Sequence, residues 1–179
     1  MNLRKLRLRA VWLLVVPFLI LSRPTVAAVA LGVALAAPGL WIRGWSAGTI
    51  HKDRELTTSG PYAFTRNPLY VGSFLIGVGV AVAGGHWIWP AAFLLFYGAV
   101  YSRTMAHEKR LLTDVFGDHY REYAANVPAF LPRATPYRPG EEGTDGFQWA
   151  RYRRNREYEA ALGAVAAFGF LLAKALWAA

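Results

Sequence analysis

Apolar positions along this chain fall into five runs, residues 10–21, 25–42, 69–85, 87–102 and 160–179, separated by charged or Gly/Pro-rich breaks. Each is a little short of the ~20 residues that cross about 30 Å of hydrocarbon, so flanking Trp, Tyr and Arg must complete several spans. The first run follows Arg4, Lys5, Arg7 and Arg9, and Ala28-Val29-Ala30 offers a signal-peptide cleavage pattern. Because the second run starts after only Ser22-Arg23-Pro24, a helical hairpin is the stronger expectation. The third and fourth runs predict a second hairpin turning at Gly84-Gly85-His86, and the last run is interrupted only by Lys174. Residues 103–123 continue as an amphipathic segment, with Leu111, Leu112, Val115, Phe116, Tyr120 and Tyr123 at helical spacing. The fold class predicted is an all-α integral membrane protein of about five transmembrane helices with an interfacial cytoplasmic helix.

Composition sharpens this picture. Of 179 residues 55% are hydrophobic and 17% charged, against about 25% charged in soluble domains. The absence of cysteine excludes disulfide frameworks, cysteine-ligated metal sites and a cysteine nucleophile. Of the 20 Lys and Arg, 18 lie in residues 1–9, 43–68 and 103–159, all 11 acidic residues lie in the last two of these segments, and only Arg23 and Lys174 fall elsewhere. Alternating crossings put the three segments on one side, the cytoplasmic side by the positive-inside rule, with a bacterial inner membrane as the expected compartment. The basic excess there suits anionic lipid headgroups, and no helix-turn-helix, finger or stacking motif suggests nucleic acid. The expected organisation is an N-terminal transmembrane hairpin (1–42), a module with the second hairpin and cytoplasmic helix (43–133), a linker and interfacial segment (134–159) and a C-terminal transmembrane helix (160–179).

Candidate chemistry gathers where two basic-side segments converge. If the third and fourth helices are antiparallel and of similar length, residues 60–70 face residues 103–123. The first segment reads Gly60-Pro61-Tyr62-Ala63-Phe64-Thr65-Arg66-Asn67-Pro68-Leu69-Tyr70. Pro68 suits a first helical turn, where an N–H would lack a partner. Asn67 is then the expected N-cap, and the free N–H groups with Arg66 form a site for a carboxylate or phosphate. In the second segment Glu108 lies on the apolar stripe, where a carboxylate needs a partner: Arg66, Arg103 or a cationic ligand. Gly117 is a candidate helix end that would re-aim His119. His107-Glu108-Lys109-Arg110-Leu111 lacks zinc-protease spacing, and no metal site is supported. Gly72, Gly77 and Gly79 suit either close helix packing or room for an acyl or prenyl chain.

Taken together, Gly60-Pro61-Tyr62, Arg66-Asn67-Pro68-Leu69-Tyr70 and Gly72, followed by Glu108, Leu111, Phe116-Gly117, Tyr120, Tyr123, Val127-Pro128 and Pro132, resemble the isoprenylcysteine carboxyl methyltransferase and phospholipid methyltransferase superfamily of integral membrane enzymes. The resemblance covers residues 43–133. It implies S-adenosylmethionine as methyl donor, with Gly60, Tyr62, Arg66, Asn67, Pro68, Tyr70, Glu108 and Tyr120 as cofactor-binding candidates and Glu108 and Arg103 as catalytic ones. The family often has His at the position of Asn67 and an acidic pair at His107-Glu108. Asn126 stands where carboxyl-methylating members tend to place Arg, so carboxylate and amine acceptors both stay open. The expected partners are membrane lipids and a lipid-soluble small-molecule substrate. Methyl transfer from a sulfonium is an in-line displacement that asks mainly for positioning and water exclusion. Two other readings are a nicotinamide-dependent steroid-reductase-like enzyme, whose Arg-His-Pro-Asn-Tyr motif Leu69 does not match, and a non-catalytic membrane protein.

Overall fold

The computed structural model describes residues 3–51, 55–138 and 146–178, with side chains from Trp12 onward. Its elements are α1 (Leu3–Leu21), α2 (Val26–Thr49), a 3-10 turn (Gly60–Ala63), α3 (Pro68–Ala83), α4 (Ile88–Asn126), α5 (Trp149–Arg154) and α6 (Tyr158–Trp177). No strand occurs among the described residues. The five apolar runs fall in α1, α2, α3, the first half of α4 and α6. By length and composition α2 and α6 could each cross a membrane, whereas Trp12–Leu21 and α3 are shorter apolar stretches. The middle of the expected linker, residues 139–145, lies outside the described residues.

Local chemistry sets the boundaries. Thr25 caps α2 by accepting from the Ala28 N–H (3.1 Å), and Pro68 opens α3 at a position that needs no N–H donor. The tightest helix pair is α2 with α3. A Cβ on Gly79 would meet the Gly32 carbonyl and, at 3.0 Å, Ala36, while one on Gly72 would meet Arg43 and the Gly39 carbonyl. A Cβ on Gly77 would strike Phe93 of α4. The neighbouring helices therefore fill the space beside all three glycines, and the sequence reading that they leave room for an acyl chain does not hold.

One end of the bundle collects both tight turns. The Arg23 N–H donates to the Gly84 carbonyl (3.0 Å), and Lys174 of α6 donates to the carbonyls of Leu19 and Ile20 and to the Ser22 hydroxyl (2.8, 3.0 and 3.1 Å).

Within α4 the backbone leaves helical geometry at Gly117 (φ 56°, ψ −125°), so two helical stretches meet there at a kink, at the helix end expected from the sequence; glycine adopts this conformation without steric cost. The expected stripe divides within the stretch before the kink: Leu112 and Phe116 pack on a cluster of Tyr120, Tyr123 and Val127, but Leu111 and Val115 lie on the outer side and are 49% and 71% exposed. His119 is also exposed.

Candidate functional site

The segment between α2 and α3 is built onto the chain that follows α4. Backbone N–H groups of Arg66, Arg133 and Tyr137 donate to the carbonyls of Pro128, Phe64 and Ala63 (2.9, 3.0 and 2.9 Å). The Thr65 hydroxyl and the Asn67 side-chain amide add bonds to carbonyls of Phe130 and Ala129 (3.1 and 2.8 Å). Gly60 starts this segment at φ +57°, with Thr49 and Trp45 close to where a Cβ would sit, so glycine is required by both conformation and space. Asn67 precedes α3 as expected, but its side chain makes no cap bond. Its Nδ2 instead anchors the side chain to the Ala129 carbonyl, and the expected Asn67 side-chain cap is absent.

Residues 60–70 and the latter half of α4 do meet. The Tyr70 hydroxyl donates to Glu108 Oε1 (2.6 Å). Arg66 Nη1 donates to the Tyr120 hydroxyl (3.4 Å) with its guanidinium 6.0 Å from that ring's centroid. The Tyr123 hydroxyl donates to the Tyr62 carbonyl (2.7 Å). Glu108 is half-buried and its hydrogen-bond partner is a tyrosine hydroxyl; among the described residues no cation, Arg66 and Arg103 included, forms an ion pair with it. Arg103 is exposed and takes no part in this network: at five residues from Glu108 it sits off the face that the carboxylate occupies.

Among the described residues the buried Tyr62 hydroxyl and Arg66 Nε find no hydrogen-bond partner, a costly state that a ligand acceptor would relieve. Burial foremost, then the charges of neighbouring Tyr123, Glu108 and Glu157, raises the Tyr62 hydroxyl far above its ordinary value, so it stays a neutral donor. Pro68 is fully buried and Tyr120 is 3% exposed, which fixes the frame around these groups.

Beside the Tyr70–Glu108 pair an apolar groove of about 340 Å³ opens between α3 and α4, lined by Phe74, Leu94, Tyr97, Tyr101, Met105 and Phe130. The Tyr97 hydroxyl donates to the Tyr70 carbonyl (2.7 Å), and the Tyr70 and Tyr101 rings meet edge-on at 5.3 Å. Gly98 also lines the groove, and a Cβ there would touch nothing.

Sequence reasoning missed Arg43 and Glu157. Arg43 Nε and Nη2 donate to the two Glu157 oxygens (2.5 and 3.0 Å), 114 residues away, and Nη1 reaches the Leu69 carbonyl (3.3 Å) and the Ser73 hydroxyl. A basic residue in the otherwise apolar last turns of α2 was the available signal. Nothing local named its partner. Among the described residues no group of three or more His, Asp or Glu converges as a metal site.

The phospholipid methyltransferase family matches residues 20–119, and the chain belongs to that family. It is 37% identical over 109 residues to the cobalt-zinc-cadmium resistance protein CzcN of Cupriavidus metallidurans, covering 60% of this chain and 49% of that one. It is 34% identical over 82 residues to the protein-S-isoprenylcysteine O-methyltransferase of Schizosaccharomyces pombe, covering 46% and 35% respectively. The human protein of that name is 35% identical over 77 residues, or 43% of this chain and 27% of its own. The matches thus span half or less of these curated relatives. No solved structure gives a significant match.

Proposed function

We propose that this chain is an S-adenosylmethionine-dependent membrane methyltransferase whose acceptor is a lipid-soluble amine or carboxylate, with the site at the cytoplasmic boundary of the bilayer. The observation that carries this reading is the half-buried Glu108 carboxylate, held by Tyr70 and without a cation among the described residues, beside two buried donors that find no acceptor among them. A ligand with a cationic centre and an anionic group meets both needs. S-adenosylmethionine has a sulfonium for Glu108 and a carboxylate for Arg66 and Tyr62, and when bound it supplies an electrophilic methyl group. Family membership and relatives named as methyltransferases support the same chemistry.

The chain's own residues then have limited tasks. Arg66, held against Tyr120, and Tyr62 bind the anion; Glu108 offsets the positive charge; the tyrosine-rich wall excludes water, which strengthens both interactions. A carboxylate acceptor loses no proton. An amine acceptor must shed one, and Glu108 is the group in reach to take it. Arg103 is not proposed in this role.

In the membrane reading, α1, α2, α3, the first half of α4 and α6 cross the bilayer. The turns at residues 22–25 and 84–87 share one face, and the basic segments form the cytoplasmic face. The groove between α3 and α4 then opens toward lipid, so an acyl or prenyl chain arrives sideways while the donor arrives from water. The groove replaces the glycine positions of α3 as the place for that chain. Purified protein in nanodiscs, incubated with methyl-labelled donor and mixed lipid and prenylthiol pools, should put label into the organic extract. Label confined to aqueous products would overturn lateral access, and absence of transfer to any acceptor would overturn the activity.

A further inference from the structure

The last two helices lie beyond residues 20–119, the stretch that the family covers, yet they reach the site. The Gln148 N–H, Asn155 Nδ2 and Arg151 Nη1 donate to the carbonyls of Gly48, Ala47 and Thr49 (2.9, 2.7 and 3.4 Å). These belong to the last turn of α2, whose carbonyls have no partners within their own helix. After α5 the chain turns at Arg156, φ +53°, the one non-glycine residue with positive φ among the described residues. Such a conformation is uncommon for a side chain of this size and persists only where surrounding contacts hold it.

The turn carries Glu157 inward, to 8% exposure, where it takes the Arg43 guanidinium in a two-bond clasp. Arg43 in turn lies across Gly72, where a Cβ would run into its Cγ, and grips the Leu69 carbonyl and Ser73 hydroxyl in the opening turns of α3. Those two residues flank Tyr70, whose hydroxyl holds Glu108. A buried ion pair is a weak way to gain stability, since well-packed apolar residues of similar volume do as well or better. Its position directly behind the site residue therefore calls for another role.

We infer that Glu157, acting through Arg43, is a positioning residue: it fixes the first turn of α3 so that Tyr70 reaches Glu108, and it neutralises Arg43 so that Glu108 stays available to a cationic ligand. This rests on the reading of Tyr70 and Glu108 as the donor site. It gives α6, for which sequence reasoning found no task, a part in the chemistry.

The test uses the full chain in nanodiscs with 3-fluorotyrosine at position 70, whose fluorine shift reports its hydrogen bond whether or not methyl transfer occurs. Glu108→Gln gives the shift of a disrupted pair. Glu157→Gln should move the resonance toward that value. The double variant Arg43→Met/Glu157→Met should regain wild-type Tm because no buried charge is left unpaired, yet keep the displaced resonance. Its kcat/KM for S-adenosylmethionine should fall about tenfold or more, the scale that misplacement of reacting groups brings. Glu157→Asp should retain most of the wild-type shift and rate. A double variant with wild-type Tm, wild-type fluorine shift and wild-type kcat/KM would overturn the inference and leave the pair structural. Should wild-type protein transfer no methyl group, the activity reading fails on its own, and the fluorine shift still decides whether Glu157 positions Tyr70.

Discussion

The two faces of α3 are built on opposite principles. Toward α2 it presents Gly72 and Gly79 to Gly39 and Gly32, so that backbones touch and no space remains. Toward α4 it presents Tyr70 and Phe74 to Tyr97 and Tyr101, and bulky rings meeting at an angle leave a groove of about 340 Å³. Close-packed small residues give a seam with one available register, whereas ring edges give a cleft whose width depends on side-chain rotamers. One helix thus serves as a fixed reference on one side and as the wall of a binding space on the other. Under the proposed function, a site that admits a long apolar acceptor and still holds reacting atoms in a productive geometry needs both.

Breaking the seam should produce the largest effect. Gly79→Leu forces a side chain against the Gly32 carbonyl and Ala36, and overpacking of this kind costs about 3 kcal/mol or more. Thermal unfolding in detergent should show a fall in Tm of many degrees. The matching change in the cleft, Gly98→Ala, meets open space and should leave Tm unchanged or slightly raised, since alanine favours a helix by about 0.5–1 kcal/mol. Equal losses in the two variants would erase the distinction between seam and cleft.

Filling the cleft should act on the acceptor alone. Gly98→Trp places a ring in the groove beside Leu94 and Tyr101, so acceptor KM should rise about tenfold, near 1.4 kcal/mol, with donor affinity retained. A parallel loss of donor affinity would mean that the groove is not a separate acceptor space.

Removing the orphan hydroxyl should be smaller still in stability. Tyr62→Phe deletes a buried group that finds no partner among the described residues, so unfolding free energy should stay within about 1 kcal/mol of wild type or rise. Donor affinity should nevertheless fall if the hydroxyl serves the ligand's anionic group. The same residue has a pH signature. Burial keeps Tyr62 and Tyr123 protonated in the folded chain, well above the ordinary 10.0, whereas the unfolded chain releases those protons near pH 10. Stability should therefore be intact below that pH and decline as pH rises past it. Tyr62→Phe should flatten the decline.

How much of this was legible in the sequence differs by element. Apolar runs mark all five long helices, because burying or spanning demands continuous hydrophobicity whatever the partner. The meeting of residues 60–70 with residues 103–123 follows from hairpin geometry, and Tyr70 and Glu108 do meet. The Asn67 side-chain cap and a pairing of Arg103 with Glu108 are absent because of partners that periodicity does not reveal: the Ala129 carbonyl holds the Asn67 amide, and the Tyr70 hydroxyl occupies Glu108. Arg43 and Glu157 were illegible because a pair 114 residues apart leaves no spacing to read. The bend at Gly117 was foreseeable as a break, but only the structure shows that it turns Tyr120 and Tyr123 inward while Leu111 and Val115 stay outside.

In the proposed site, Glu108 faces the positive charge of the methyl donor. Calorimetry of wild type and Glu108→Gln with S-adenosylmethionine and with its neutral-sulfur product, S-adenosylhomocysteine, tests it most directly. Wild type should favour the sulfonium, and Glu108→Gln should lose about tenfold in affinity for it, near 1.4 kcal/mol, while binding of the neutral thioether changes little. Equal affinities for S-adenosylmethionine in the two proteins would contradict it.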